Sequence, residues 1–493
     1  MLKIGMDLGT TRTKIAMLTE SGEPQLLTNR QGETFTFSEV YFPGDGTHYI
    51  GTEAKNAALA EPKRSVANWK AHIGTDKVLY IDDDGTEYMA VNIASIIIKT
   101  IINDIEAKMQ DTVGELVITV PANYTNAQKQ DTKKAAEMAG VKVLLMPHEP
   151  TAGALGNHVN KLKNGTVIVC DIGGGTTDIS VIKAKGNVCE VTATGGIPKL
   201  GGRDFNRRIK DHVIDAFETK FSYRPNEDEH AIFHQDLETR IEQAKINLSV
   251  QKQANIVVSN NGDMLNLTIT RQKFEELVAD LINQIVDITE KTLKEGSLGW
   301  ADIDAIYPIG GASMMPKIVE SLEKASGKSV VSNCEAHCAV ALGAAVAVRL
   351  EYERLGKQVQ VGSVTLPPIN YYMRDILSRS IGVSALDKSD QEVCCEILGK
   401  ETPIPSLQTR KFMLSELGQT NVRIHILQGV EGQKAKDCES LGHFDLKELP
   451  SSSDHGSRIE VTFDLDANGL LTASARDMVS NKKEELKLDY NNN

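Results

Sequence analysis

The chain has 493 residues, 41% of them hydrophobic and 25% charged, with a net charge of −13. A chain this long outgrows a single core, so roughly two to four domains of a soluble protein are expected. The acidic balance disfavours nucleic-acid backbones and anionic membranes, and aromatic residues at 5% argue against base-stacking platforms.

From the N-terminus, Met1 leads almost directly into a buried-type strand, with no basic flank or cleavage site of a signal peptide. "IGMDLGTTRTKIAM" (residues 4–17) reads as strand, Gly-rich turn, strand. The longest apolar run, residues 93–102, is too short to span a bilayer and contains Lys99. "ELVITVPANYT" is a strand entering a turn, followed by the helical "NAQKQDTKKAAEMAG" with Gly140 as its stop. "KVLLMPHEPTAGALG" and "AIYPIGGASMMPKIVESLEKA" repeat the order strand, turn, helix, which argues for α/β layers. Between them, "VCDIGGGTTDIS" (169–180) repeats the first turn: apolar strand, Asp, glycines, two threonines, second strand.

Seven cysteines, an odd number, favour reduced thiols, and a cytoplasmic location is expected. Cys334, His337 and Cys338 have a spacing that zinc could use, but the segment reads as the start of a packed helix. Adjacent Cys394 and Cys395 receive no role. Residues 361–373, "VGSVTLPPINYYM", carry two prolines and no period and read as a linker. From Asp375 onward short alternating runs with Asn-Gly and Asp turns predict antiparallel hairpins.

The doubled turn suits phosphate chemistry. Glycine lets the backbone close on a phosphate, and threonine hydroxyls add donors. An Asp at the strand end can hold a hydrated divalent cation. Either hairpin alone is equally a tight turn; two of them facing across a cleft could grip one triphosphate. In "IEQAKINLS", Glu242, Lys245, Ile246 and Ser249 share a helix face that could line a ribose and purine or simply meet solvent. Gly310 and Gly311 in "PIGGASMMP" would allow close approach of a base, or form an ordinary turn.

With "MDLGTT", "VPANYTNAQKQDTKKAAEMAG", "EPTAGAL", "DIGGGTTDIS", "LGGRDFN", "TRQKFEEL" and "IGGASMMP" in order, the chain resembles the heat-shock protein 70 (DnaK-type) chaperone family. The resemblance covers essentially the whole chain, since "IHILQG", "SLGHFDL" and "IEVTFDLDANGLLTASARD" are similar to the family's peptide-binding domain. It implies an α/β actin-like ATPase domain of duplicated, ribonuclease H-like lobes (1–357), a linker (358–374) and an antiparallel β-sandwich (375–493), in which the family's helical lid is expected to be missing. The implied ligands are ATP or ADP, Mg²⁺, a monovalent cation such as K⁺, and unfolded or extended polypeptides. Asp7 and Asp171 would bind Mg²⁺ through water. Thr10, Thr11 and Thr176, with Gly9, Gly173, Gly174, Gly175, Gly201 and Gly202, would clasp the phosphates. Glu242, Lys245, Ser249, Gly310, Gly311 and Met314 would surround the nucleoside. Lys70 would neutralise charge on the γ-phosphate, Glu149 would position or deprotonate water, and Asp178 would act on a monovalent ion or water. Val383, Leu386, Phe412, Ser415, Val422 and Ile424 would form the peptide cleft, and Pro121 and Lys129 would relay nucleotide state.

The chain also departs from the family pattern. Met314 stands where an arginine is common, Arg203 replaces an acidic residue, His337 replaces an Asp, and Arg12 and Lys14 replace small or polar residues. Leu145 replaces an arginine that contacts J-domain co-chaperones, which weakens the expectation of J-domain and nucleotide-exchange partners. The acidic-aliphatic linker is absent; either Pro367-Pro368 stiffens a poorly coupled connection, or Val361, Val364 and Leu366 dock in its place. Two functions follow: a slow ATP-hydrolysing chaperone, or a weakly hydrolysing nucleotide-binding scaffold that holds a dedicated partner through its β-domain.

Overall fold

β1 (Leu2–Leu8) and β2 (Arg12–Leu18) form an antiparallel hairpin, and β1 also pairs in parallel with β3 (Val113–Ile118). β3 continues in parallel to β4 (Lys142–Leu145), giving a mixed sheet. The pattern recurs in the second half. β5 (Asn164–Ile172) and β6 (Thr177–Lys185) form a hairpin, β7 (Val188–Ile197) extends it antiparallel, and β8 (Ala305–Ile309) pairs with β5 in parallel. The computed structural model describes residues 1–157, 164–331, 336–416, 418–451 and 456–487. Contacts divide the chain into two units, Met1–Ala122 with Thr132–Met373, and Asn123–Asp131 with Arg374–Asn493.

In the first unit the helices that carry chemistry are α1 (Glu149–Gly156), α2 (Gly202–Phe221), α3 (Ala231–Val250) and α4 (Ala339–Arg354). α1 and α4 cross at glycines. A methyl group on Gly343 would lie 1.6 Å from the Ala152 carbonyl oxygen, and one on Gly156 would lie 1.9 Å from that of Ala339. Backbone-to-backbone packing therefore fixes the body of α1, which carries Glu149 at its start, and no larger residue fits. A second core gathers Ile168, Cys170, Ile179, Phe205, Ile209, Phe217, Leu237 and Ile241 between the β5–β8 sheet and α2 and α3.

Of residues 358–374, expected as a linker, 358–373 belong to the first unit. Two short strands, β9 (Gln360–Val361) and β10 (Val364–Thr365), make a hairpin there. Val359 and Leu366 are buried against Ala16 and Leu18 of β2 and Ala341, Leu342 and Ala345 of α4, with Val361 and Val364 alongside. Arg349 donates to the Pro367 carbonyl, and the Ile369 N–H donates to Glu353 Oε1 at 2.9 Å. Docking, the second of the two arrangements open in the sequence, is what forms: the aliphatics find an apolar groove that local sequence does not reveal. Leu366→Asp should place an unpaired charge in that groove and open residues 359–371 to limited proteolysis. Equal protease resistance in both proteins would refute the docking.

The second unit holds two four-stranded antiparallel sheets. One runs in the order β12–β11–β13–β14, from β11 (Ile381–Leu386), β12 (Glu392–Leu398), β13 (Val422–Gln428) and β14 (Glu439–Leu446). The other is led by Ser406–Met413, followed by β15 (Ser457–Leu465), β16 (Leu471–Asp477) and β17 (Lys483–Lys487). β15 shows the expected alternation, with Ile459, Val461, Phe463 and Leu465 buried and Glu460, Thr462 and Asp464 on the other face. Those four share one core with Val383, Leu398, Ile426 and Leu446 of the facing sheet. The Asn-Gly hairpin closes through Asp466, whose Oδ1 accepts from the N–H groups of Asn468 and Leu470 at 2.8 and 2.9 Å.

Candidate active site

The two Gly-rich hairpins carry their tips against each other. A methyl group on Gly174 would lie 2.4 Å from Thr11 Oγ1, and one on Gly175 would lie 3.4 Å from the Thr10 methyl. Only glycines allow that approach. The second tip is tied to the start of α2, because the Gly202 and Arg203 N–H groups donate to the carbonyls of Gly173 and Gly174, each at 2.9 Å. The first tip is braced by Ser38, whose hydroxyl donates to the Gly9 carbonyl at 2.7 Å, while Trp69 Nε1 donates to the Ser38 carbonyl at 3.0 Å. Ser38 and Trp69 were not visible as site residues; the one sequence signal was the position of Trp69 beside Lys70. Among the described residues, the hydroxyls of Thr10, Thr11 and Thr176 and the N–H groups of Gly174 and Gly175 have no protein partner. Unpaired donors on two adjoining tips suit an anion.

Lys70 lies in a short 3₁₀ turn, Trp69–His72, entered through Asn68 at φ 60°. Its ammonium donates to Glu149 Oε1 at 2.8 Å and to the Leu8 carbonyl at 2.6 Å. Both side chains are nearly buried, Lys70 at 7% and Glu149 at 8% exposure, so each holds the other's charge in a poorly solvated site. Cross-strand pairing sets Asp7 opposite Lys14 in the first hairpin and Asp171 opposite Asp178 in the second. Lys14 is itself anchored by donating to the His337 carbonyl.

Burial pushes the Asp7 carboxyl up to about 6; Lys14 and Lys70 oppose the shift and Glu149 adds to it. Asp171 is raised well above the usual carboxylate range, by burial first and then by repulsion from Glu149, Asp178 and Asp7. Four carboxyls thus face two ammonium groups, an excess of negative charge that a divalent cation would relieve. Among the described residues no group of three His, Cys, Asp or Glu is placed to hold a metal directly. Cys334 lies outside the described residues; Cys338 is buried beside Ala16 and Leu18.

A model of the Hsp70 protein family matches residues 3–493. The chain belongs to the Hsp70 family. It is a chaperone of the Hsp70 type, and Hsp70 proteins generally use ATP or ADP with Mg²⁺ and bind unfolded polypeptides and co-chaperones. The mixed α/β sheets of the first unit fit the actin-like ATPase domain of an Hsp70. No helix among the described residues of this Hsp70 is long and apolar enough to cross a membrane.

In this Hsp70, two of the expected nucleoside residues, Glu242 and Lys245, pair on α3. Lys245 Nζ donates to Glu242 Oε2 at 2.8 Å and to the Gly202 carbonyl at 3.0 Å. Asn206 also donates to Glu242, and Arg12 of the first hairpin approaches it at 3.8 Å. Glu242 is held below the usual carboxylate range because Lys245, Asn206 and Arg12 outweigh its burial. Gly202 lies near both Lys245 and Ala312, and Gly310, at φ 80°, sits close to Asp171: a methyl group there would be 2.6 Å from Asp171 Oδ1. Ser249 bonds back to its own helix, and Met314 is exposed at 38%. Gly311 meets nothing nearby.

The six expected peptide-cleft residues divide. Val383 and Ile424 are buried in the core of the second unit, with Phe412 and Val422 packed against it. Leu386 is half exposed, and Ser415 is exposed and donates to Gln419 Oε1 at 3.0 Å. The period-2 pattern cannot tell a core face from a cleft face. Lys129 is buried within the second unit, where desolvation outweighs Asp375 and Asp466 and pushes its ammonium down to about 8.

Proposed function

We propose that the first unit binds and slowly hydrolyses Mg-ATP between its two hairpins, and that the second unit, a β-sandwich, binds exposed apolar peptide segments. The proposed division is a nucleotide-binding domain at 1–357, a docked connection at 358–374 and a peptide-binding domain at 375–493. One observation carries the reading: a buried Lys70–Glu149 pair beside Asp7 and Asp171, facing a cradle of unpaired threonine hydroxyls.

Thr10, Thr11 and Thr176 donate to phosphate oxygens, with Gly9, Gly173, Gly174, Gly175, Gly201 and Gly202 permitting the approach. Mg²⁺, held through water by Asp7 and Asp171, would screen the phosphate charge. Glu149 orients or deprotonates the attacking water, and Asp178 steadies a monovalent cation or a second water. Lys70 is held in place before substrate arrives, so its charge requires little reorganisation as negative charge grows. Glu242, Lys245, Ser249, Gly310, Gly311 and Met314 face the nucleoside. Unfolded polypeptides are the proposed clients; Leu145 speaks against the usual J-domain contact.

Mg-ATP should raise the melting temperature of the full chain, since ligand at about 100 times its Kd adds roughly 2.7 kcal/mol. Differential scanning fluorimetry with ATP and with ADP checks this. No shift with either nucleotide in the presence of Mg²⁺ would sink the assignment.

A further inference from the structure

Arg203 is the second residue of α2 and lies against the tip of the β5–β6 hairpin. Its Nε donates to the Gly174 carbonyl at 3.3 Å. A methyl group on Gly175 would lie 2.4 Å from Arg203 Nη2 and 3.4 Å from the Thr10 methyl, so the guanidinium stands where the two tips meet. Nearby acids are already engaged. Asp204 accepts from the Gly201 N–H at 2.9 Å and lies 3.5 Å from Arg207, and Glu242 is taken by Lys245, Asn206 and Arg12. Among the described residues, Arg203 makes no ion pair, and its two terminal nitrogens have no protein partner.

We propose that Arg203 recognises the terminal phosphate of the bound nucleotide and sets preference for triphosphate over diphosphate. The proposal rests on the nucleotide reading above. A partly buried guanidinium whose nearest counter-charge, Asp204, is engaged elsewhere is costly, and its planar fork matches phosphate oxygens. Position along the cleft selects which phosphate. Gly202, one residue earlier, faces Lys245 and Ala312 on the nucleoside side. Arg203 instead stands at Gly175, where the two tips meet. His72, in the turn that carries Lys70, is held below its ordinary value by burial, then by the positive charges of Lys77 and Arg203. The α- and β-phosphates keep the hairpin donors in either nucleotide, so loss of Arg203 should be felt chiefly where a third phosphate is present.

Equilibrium binding of Mg-ADP and of a non-hydrolysable Mg-ATP analogue to the full chain tests this. Arg203→Gln should weaken the triphosphate roughly 10- to 100-fold and the diphosphate less than about threefold. Arg203→Lys retains the charge without the fork and should restore only part of the triphosphate affinity. Equal losses for both nucleotides, or no loss, would reduce Arg203 to a strut on the Gly174 carbonyl and overturn the proposal. A wild-type chain that binds neither nucleotide would overturn the nucleotide reading itself, and this proposal with it.

Discussion

Lys70→Ala should retain ATP binding while lowering the rate of hydrolysis by roughly 10²–10³-fold. In the proposed ground state the nucleotide already has partners: two tips with unpaired hydroxyl and N–H donors, and the Glu242–Lys245 wall. Lys70 differs because its ammonium is fixed by Glu149 and the Leu8 carbonyl, and it meets more negative charge in the transition state than in bound ATP. Removing it also leaves Glu149 buried without its cation, so a general loss of fold must be separated from a loss of catalysis. Single-turnover hydrolysis with saturating Mg-ATP, alongside nucleotide affinity and melting temperature, makes that separation. Retained affinity with a collapsed rate constant is the expected pattern. A wild-type rate no faster than the variant's would favour the scaffold reading, in which nucleotide is bound and not turned over.

Much of this site was legible because its chemistry is carried by short local patterns. A strand ending in Asp followed by glycines and threonines forces a tight turn with outward donors, and the same turn written twice implies a repeated lobe. The matching pairings of β1–β3 and β5–β8 carry that repeat. What escaped depends on contacts distant in sequence. Ser38 braces Gly9 through a loop with no motif, and the posture of Arg203 follows from which neighbouring acids are already engaged. Residues 358–373 looked like a linker because two prolines interrupt any period. Their Val359 and Leu366 find their groove only when β2 and α4 are assembled. Alternation in the C-terminal half announced antiparallel strands correctly, yet it could not say that Val383 and Ile424 face the core.

Asp477→Ala should destabilise the second unit by about 3–5 kcal/mol, a large part of the roughly 5–15 kcal/mol that holds a typical domain together. Asp477, at the end of β16, is fully buried and accepts from Arg458 at 2.5 and 2.9 Å; Arg458 is exposed by only 5%. The same carboxylate closes the following turn by accepting from the Ser480 hydroxyl at 2.5 Å and the Ser480 N–H at 2.9 Å. Alanine would leave a guanidinium stranded in the core and release the turn that leads into β17. Both tryptophans, Trp69 and Trp300, lie in the first unit, so their fluorescence would not report the loss. Hydrogen exchange of peptides covering 457–487 would. Arg458, foremost, holds the Asp477 carboxyl far below the usual carboxylate range, with the Ser480 and Val479 donors adding to the effect. Because the folded value is depressed, the stabilisation is fully present above the unfolded value, about 3.9. It fades only as pH falls from there toward the native value. The wild-type pair should therefore keep its protection from neutral pH down to about pH 4, whereas the alanine variant should already have lost it at neutrality. A neutral-pH loss below about 1 kcal/mol would place this pair with ordinary surface ion pairs and refute its assignment as the anchor of the β15–β17 sheet.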